Sequence, residues 1–340
     1  MTPRAVLDEG RLRRNAEAMK ARCEALGVQL RPHVKTHKVP ELARLQTDGE
    51  AVTVSTLAEA RAFAAAGFTD ITWAMPLPLS RRDEALELGR SVTLNLLVDS
   101  IEAADALAGT AARVLLKVDC GYGRAGLRPE DPEALRVARR LAECTDFRGL
   151  LTHAGHSYDC RDRADLRRVA EQERRVTVDF AERLRAEGIP VPTVSIGSTP
   201  TLAVARELKG VTEVRPGNYV LLDLAQVEIG HCRREDIALT VETTVISAHP
   251  ERLVVDAGAL ALSKDRAFGH YGEVQGHGWP VVSLSQEHGV VRAPAGHGLR
   301  PGARLRVLPA HSCLVGPLLG GFDLERDATT VAHWVPAVGW

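Results

Sequence analysis

Between about residue 8 and residue 230, strand-like and helix-like segments alternate, and this alternation limits the possible folds more than any other feature of the 340-residue chain. Eight strand candidates occur in order: VQLRPHV, AVTVS, ITWAM, VTLNLLV, RVLLKVD, FRGLLTH, TVSIG and TEVRP. Before and between them lie helix-forming stretches. LDEGRLRRNAEAMKARCEAL places apolar residues at three- and four-residue spacing, and STLAEARAFAAAG and SIEAADALAG close on glycine. Strands that alternate with helices make parallel sheets, and eight such units in this length predict an α/β fold, a (β/α)8 TIM-like barrel over residues 8–232. After residue 232 the texture changes to short β-rich runs broken by Gly, Pro and His, such as LTVETTVISAHP, ERLVVDAG and RLRVLPAH. These predict a β-rich domain over 233–340, joined by residues 1–7 through PRAVLD.

The 43 Lys and Arg residues nearly balance the 44 Asp and Glu. No net field draws the chain to nucleic acid or to an acidic membrane surface, so the expected partner is a small molecule. The apolar runs are too short for a membrane span and the start MTPRAVLDEGRLRR lacks a signal-like stretch, which predicts a cytoplasmic protein. Six cysteines without a CxxC pair read as free thiols.

Barrel active sites form where strands end, so the reactive residues at strand ends matter most. Lys35 is one of only six lysines and follows an apolar strand in RPHVKTHK. A lysine entering a barrel mouth is partly desolvated, which suits an amine that forms a Schiff base and later moves a proton. Alone it would be an ordinary surface lysine. Its neighbours argue otherwise, because an extended strand would set His33, Lys35 and His37 on one face. Later strand ends carry DCGYGRAG (119–126), HAGHSY (153–158), SIGSTPT (195–201) and RPGNY (215–219). The small residues of the last two let backbone N–H groups approach an anion such as a phosphate. His311 and Cys313 stand at i and i+2 in LPAHSCLV, so a strand continuing through them would aim both side chains the same way, as a metal pair needs. Asp223 could equally be a buried polar anchor, His288 or Glu287 could line the site or form a structural turn, and His231, His249, His270, His277, His297 and His333 read as surface or loop residues.

Taken together, these motifs resemble the barrel-fold pyridoxal-phosphate (PLP) enzymes of the alanine racemase-like superfamily. Within it they are most similar to the group of D-threonine aldolase and eukaryotic-type D-serine dehydratase, over nearly the whole chain. RPHVKTHK resembles the cofactor-lysine motif, KVDCGYGRAG the arginine loop, SIGSTPT and EVRPGNYVLLD the phosphate loops, and PAHSC the metal motif. The resemblance implies Lys35 as the Schiff-base lysine, and Gly197, Ser198, Thr199, Gly217 and Asn218 around the phosphate. It also implies Arg124 or Tyr158 beside the pyridine ring, with Arg215 as the other candidate for the ring nitrogen. His311 and Cys313 would hold Zn2+, where the aldolases typically carry aspartate in place of the cysteine.

The activity so implied is elimination of water from a D-β-hydroxy-amino acid, first of all D-serine to pyruvate and ammonia. D-Threonine aldolase is the nearest rival, followed by a D-threo-3-hydroxyaspartate dehydratase, an amino-acid racemase and a non-enzymatic PLP carrier. A homodimer is expected from the same resemblance.

Overall fold

In the computed structural model, which describes residues 1–160 and 162–340, the chain divides into two compact units. One comprises residues 19–35, 46–217 and 337–340, the other residues 1–18, 36–45 and 218–336. Residues 218–232, grouped with the barrel by sequence, fall in the second unit. The strands in chain order begin with β1 (Arg4–Asp8), β2 (Gln29–Leu30), β3 (Ala51–Val54), β4 (Asp70–Pro76), β5 (Thr93–Val98) and β6 (Arg113–Lys117). They continue with β7 (Asp146–Leu151), β8 (Thr193–Ile196) and β9 (Glu213–Val214).

Strands β2 to β9 pair in parallel in the order β2-β9-β8-β7-β6-β5-β4-β3. A bridge between His33 and Thr53 closes the ring. This is the (β/α)8 barrel expected from the alternation, and each strand falls within or at the edge of its predicted segment. Several helices begin where short polar side chains accept from their first free N–H groups. Thr56 accepts from Glu59, Ser100 from Ala103, Asp131 from Glu133, and Asp162 from Ala164 and Asp165. Pro132 follows the Asp131 cap in the first turn, where no N–H is needed.

Leu97, Leu115 and Leu151 cluster between neighbouring strands. Elsewhere the unit holds a chain of charge: Arg215 donates to Ser195 Oγ, Ser195 to Glu213 (2.5 Å), and Arg31 joins Glu213 to Asp70, each at 2.8 Å. Asn95 extends it, donating to Asp70 (2.9 Å) and accepting from Arg113 (3.1 Å). Buried ions are tolerated when they are paired or hydrogen-bonded, and here Arg31 is paired with two carboxylates while Arg215 is held by hydrogen bonds alone.

One expectation fails here. The segment VQLRPHV forms only the two-residue β2, and Val34–Thr36 is a single 3-10 turn rather than strand. Pro32 has no N–H for the ladder, and the chain coils after it, although His33 N still donates to Pro216 O at 2.9 Å. His33, Lys35 and His37 therefore do not share a strand face.

The second unit continues with β10 (Leu239–His249), β11 (Arg252–Val255), β12 (Gly272–Val274), β13 (Trp279–Leu284) and β14 (Gly289–Arg292). It ends with β15 (Arg304–Pro309), β16 (Phe322–Arg326) and β17 (Thr329–Trp334). Six of these close a ring, β10-β11-β14-β13-β12-β15, which removes open edges. β1 lies between β10, to which it is antiparallel, and β16, to which it is parallel. Arg4 secures it with ion pairs to Glu242 (2.5 Å), Asp323 (2.8 Å) and Glu325 (3.1 Å). Two short helices, Ala259–Leu262 and Val315–Leu319, interrupt a region that reads as β-rich throughout.

Gly149 in β7 has φ +124°, and a Cβ there would sit 2.1 Å from Thr193 O on the neighbouring strand. Gly149→Ala should therefore lower unfolding stability by about 2 kcal/mol or more, read as a reduced urea midpoint.

Candidate active site

In the barrel unit, the ends of several strands bring basic side chains together. Arg215 is almost fully buried and donates to Ser195 Oγ, Thr152 O and Ile196 O, which fixes it against the ends of β7 and β8. Burial first, only partly offset by Glu213 and Glu173, lowers its pKa to about 10. His33 and His153 are held well below the ordinary imidazole range, by burial and then by the charge of Lys35. Arg215 and Arg124 repel a proton on both rings, and Lys117 one on His153. Lys35 lies in the turn Val34–Thr36, its backbone N–H donating to His33 Nδ1 at 3.4 Å.

Lys117, at the end of β6, is one residue the sequence reading passed over. It is 5% exposed, and burial, followed by repulsion from Arg215, drives its amine down to about 7. Its visible signal was a lysine inside the apolar run RVLLKV. Glu173 was also missed. Its Oε1 accepts from Ala154 N (3.0 Å) and Gly197 N (3.1 Å), tying together the loops that follow β7 and β8. Nothing in the local sequence marks it, because it sits in the middle of the long helix Arg163–Ala186.

Of the predicted phosphate residues of this unit, Gly197, Ser198 and Thr199 occupy one tight loop, while Gly217 lies in the separate loop that follows β9. Gly197 adopts φ +97°, Ser198 caps the turn Thr199–Val204 through a reciprocal bond with Thr201, and Ser157 Oγ lies 3.1 Å from Ser198 Oγ. The arginine loop is built by Asp119, which accepts from Gly121 N and Gly123 N, each at 3.0 Å. It leaves Arg124 exposed, its guanidinium 5.1 Å from the Tyr122 ring centre. Tyr122 in turn packs on Gly155, where a Cβ would meet its ring at 2.3 Å. Tyr158 lies in the turn Gly155–Asp159. Positive charge that exceeds its acidic partners, beside a loop of small residues, fits an anionic, phosphate-bearing cofactor.

In the second unit Asp223 is completely buried, and its Oδ2 accepts from His311 Nδ1 (2.9 Å), Ser312 N (2.9 Å) and Asn218 Nδ2 (2.6 Å). β15 ends at Pro309, so His311 and Cys313 occupy a turn rather than the continuing strand that the i, i+2 argument assumed. They still face each other. Although burial opposes it, Cys313 and Asp223 hold the His311 imidazole protonated well above its ordinary range. Thr36, the residue after Lys35, places Oγ1 3.4 Å from Cys313 Sγ. With Nδ1–H held by a carboxylate, Nε2 is the ring nitrogen that would give up its proton to bind a metal, and a thiol beside it completes a pair suited to zinc. Among the described residues no cluster of three or more His, Cys, Asp or Glu gathers as a metal set, so further ligands would come from water or substrate.

Comparisons with known proteins give the family of the chain. The alanine racemase N-terminal domain family matches residues 7–224, and the putative serine dehydratase domain family matches residues 238–321. The chain belongs to the D-serine dehydratase and D-threonine aldolase family. Its members are alanine racemase-like, PLP-dependent lyases, and this chain is an enzyme of that kind. It is 40% identical to D-threo-3-hydroxyaspartate dehydratase of Delftia sp. (strain HT23), covering 100% of this chain and 98% of that one. It is 33% identical to D-serine dehydratase of Dictyostelium discoideum, covering 100% and 97%. A solved structure of a cysteine-to-alanine mutant of D-threo-3-hydroxyaspartate dehydratase, in the metal-free form, superposes with a TM-score of 0.95 at 39% identity, over 100% of this chain and 98% of that one. No helix among the described residues is long and apolar enough to cross a membrane.

The depressed Lys117 value makes a prediction for the cofactor-free protein. Its folded-state value, about 7, lies below the ordinary 10.5. Folding therefore disfavours its proton, fully so below pH 7 and progressively less as pH rises from 7 to 10.5. Lys117→Met should raise the apoprotein melting temperature by several degrees near pH 7 and by less near pH 10, measured by scanning fluorimetry.

Proposed function

We propose that this lyase depends on PLP and zinc and eliminates water from a D-β-hydroxy-amino acid, with D-serine converted to pyruvate and ammonia as the leading reaction. The observation that carries this reading is the pair His311 and Cys313, backed by Asp223 at 2.9 Å, with Thr36 of the Lys35 turn against Cys313 Sγ. A thiol at this position favours zinc and dehydration over the aldolase pattern, which carries a carboxylate.

The division of labour follows from the side chains. Lys35 would hold the cofactor and, once displaced by the substrate amine, would take the proton from Cα. Gly197, Ser198, Thr199, Gly217 and Asn218 would hold the phosphate. Arg215, fixed by three acceptors and kept cationic, is the group best prepared to meet the pyridine nitrogen, with Arg124 and Tyr158 as the other candidates beside the ring. The cofactor, when bound, supplies an electron sink for the carbanion at Cα. Zinc, when bound, supplies Lewis acidity toward the β-hydroxyl, whose departure is otherwise difficult. His311 and Cys313 would hold that ion, and Asp223 would keep the imidazole turned toward it.

A second reading is D-threo-3-hydroxyaspartate, which would give oxaloacetate and ammonia. Its support is the 40% identical relative together with the exposed guanidinium of Arg124, which suits a second substrate carboxylate.

The test is release of the oxo acid from each substrate, with and without a zinc chelator, while the visible Schiff-base band is followed. The expected result is oxo acid that disappears on chelation while the band persists. Lys35→Ala should remove the band, and Cys313→Ala should keep it while reducing turnover by at least about 100-fold. Glycine and an aldehyde as products would replace dehydration with aldol cleavage. An intact band without oxo acid from either substrate would exclude both dehydrations.

A further inference from the structure

Asp223 has more partners than a metal-ligand support requires. Its Oδ2 alone accepts three donors, Asn218 Nδ2 at 2.6 Å, His311 Nδ1 at 2.9 Å and Ser312 N at 2.9 Å, while Oδ1 accepts Gln226 N at 3.0 Å. The residue is 0% exposed and caps the turn Leu224–Glu228, so its position is fixed by main chain rather than by any one partner. No arginine or lysine pairs with it among the described residues. Its compensation comes from these donors, which makes each of them hard to move without disturbing the others.

We infer that Asp223 is a positioning residue that orients His311 for the metal and Asn218 for the cofactor phosphate through one shared oxygen, so that binding at either residue strengthens binding at the other. The inference rests on the proposed roles of His311 and Asn218. A metal held by His311 Nε2 would make Nδ1–H a stronger donor to the shared Oδ2, whose place the main chain already fixes. Asn218, bonded to that same oxygen at 2.6 Å, would then be held more firmly in the orientation that meets the phosphate. Ordering Asn218 first does the same for His311, and the two effects must be equal.

The experiment uses the full-length apoprotein. PLP affinity is measured from the Schiff-base band with and without Zn2+, and Zn2+ affinity by competition with a chromophoric chelator, with and without PLP. In the wild type each ligand should tighten the other by the same factor, about fivefold or more. Asp223→Asn should weaken Zn2+ by about 10- to 100-fold. Asn218→Ala leaves the His311 bond in place, so it should retain Zn2+ affinity within about threefold while the coupling factor falls to one. A wild-type band with a coupling factor of one would overturn the shared-oxygen inference while leaving the assignment of Lys35 intact. Unchanged coupling in Asn218→Ala would overturn it as well. No band, or no zinc binding, in the wild type would remove the underlying reading and the inference with it.

Discussion

The barrel unit depends on a buried guanidinium that, among the described residues, has no carboxylate in direct contact. Arg215 satisfies its donors with Thr152 O, Ile196 O and Ser195 Oγ, so its charge is anchored to the ends of two strands. Ser195 passes the demand to Glu213, Glu213 to Arg31, and Arg31 to Asp70. The positive end faces the residues at the strand ends, where His33, His153 and Lys117 resist protonation. Such a site is incomplete until an anion arrives, and the chemistry proposed for it begins with one.

The second unit solves the opposite problem. There the buried ion is an acid, and Asp223 draws its donors from a side-chain amide, an imidazole and two main-chain N–H groups. The apolar cluster of Leu222, Leu224, Ile237, Ala267, Leu308 and Ala310 packs around the segments that carry it. Dry surroundings make each of its hydrogen bonds costly to lose, which is why a turn without regular structure can still present His311 and Cys313 in a fixed relation.

Much of this was legible in the sequence, because the two units depend on different kinds of signal. The eight barrel strands announce themselves as apolar runs between helix-forming segments, since strands covered on both faces need no alternation. Lys35, the glycine loops and the His-x-Cys pair stand out by residue type and by family resemblance. What escaped was set by three-dimensional approach. The turn at Val34–Thr36 follows from Pro32 interrupting a ladder, and the bend after Pro309 places His311 and Cys313 together without a strand. Glu173 serves two loops from the middle of a helix, and its roles appear only when Ala154 and Gly197 come within 3.1 Å of it.

The placement of β1 bears on how the chain is made. Arg4 pairs with Glu242, 238 positions later, and β1 also runs beside β16, which ends at Arg326. On the ribosome, the early strand must therefore wait, unpaired, while most of the polypeptide is synthesised. The barrel strands emerge during that interval and have their own partners, so they can begin to pair first. The second unit can close only after the barrel strands have been made, when β16 arrives to cover β1.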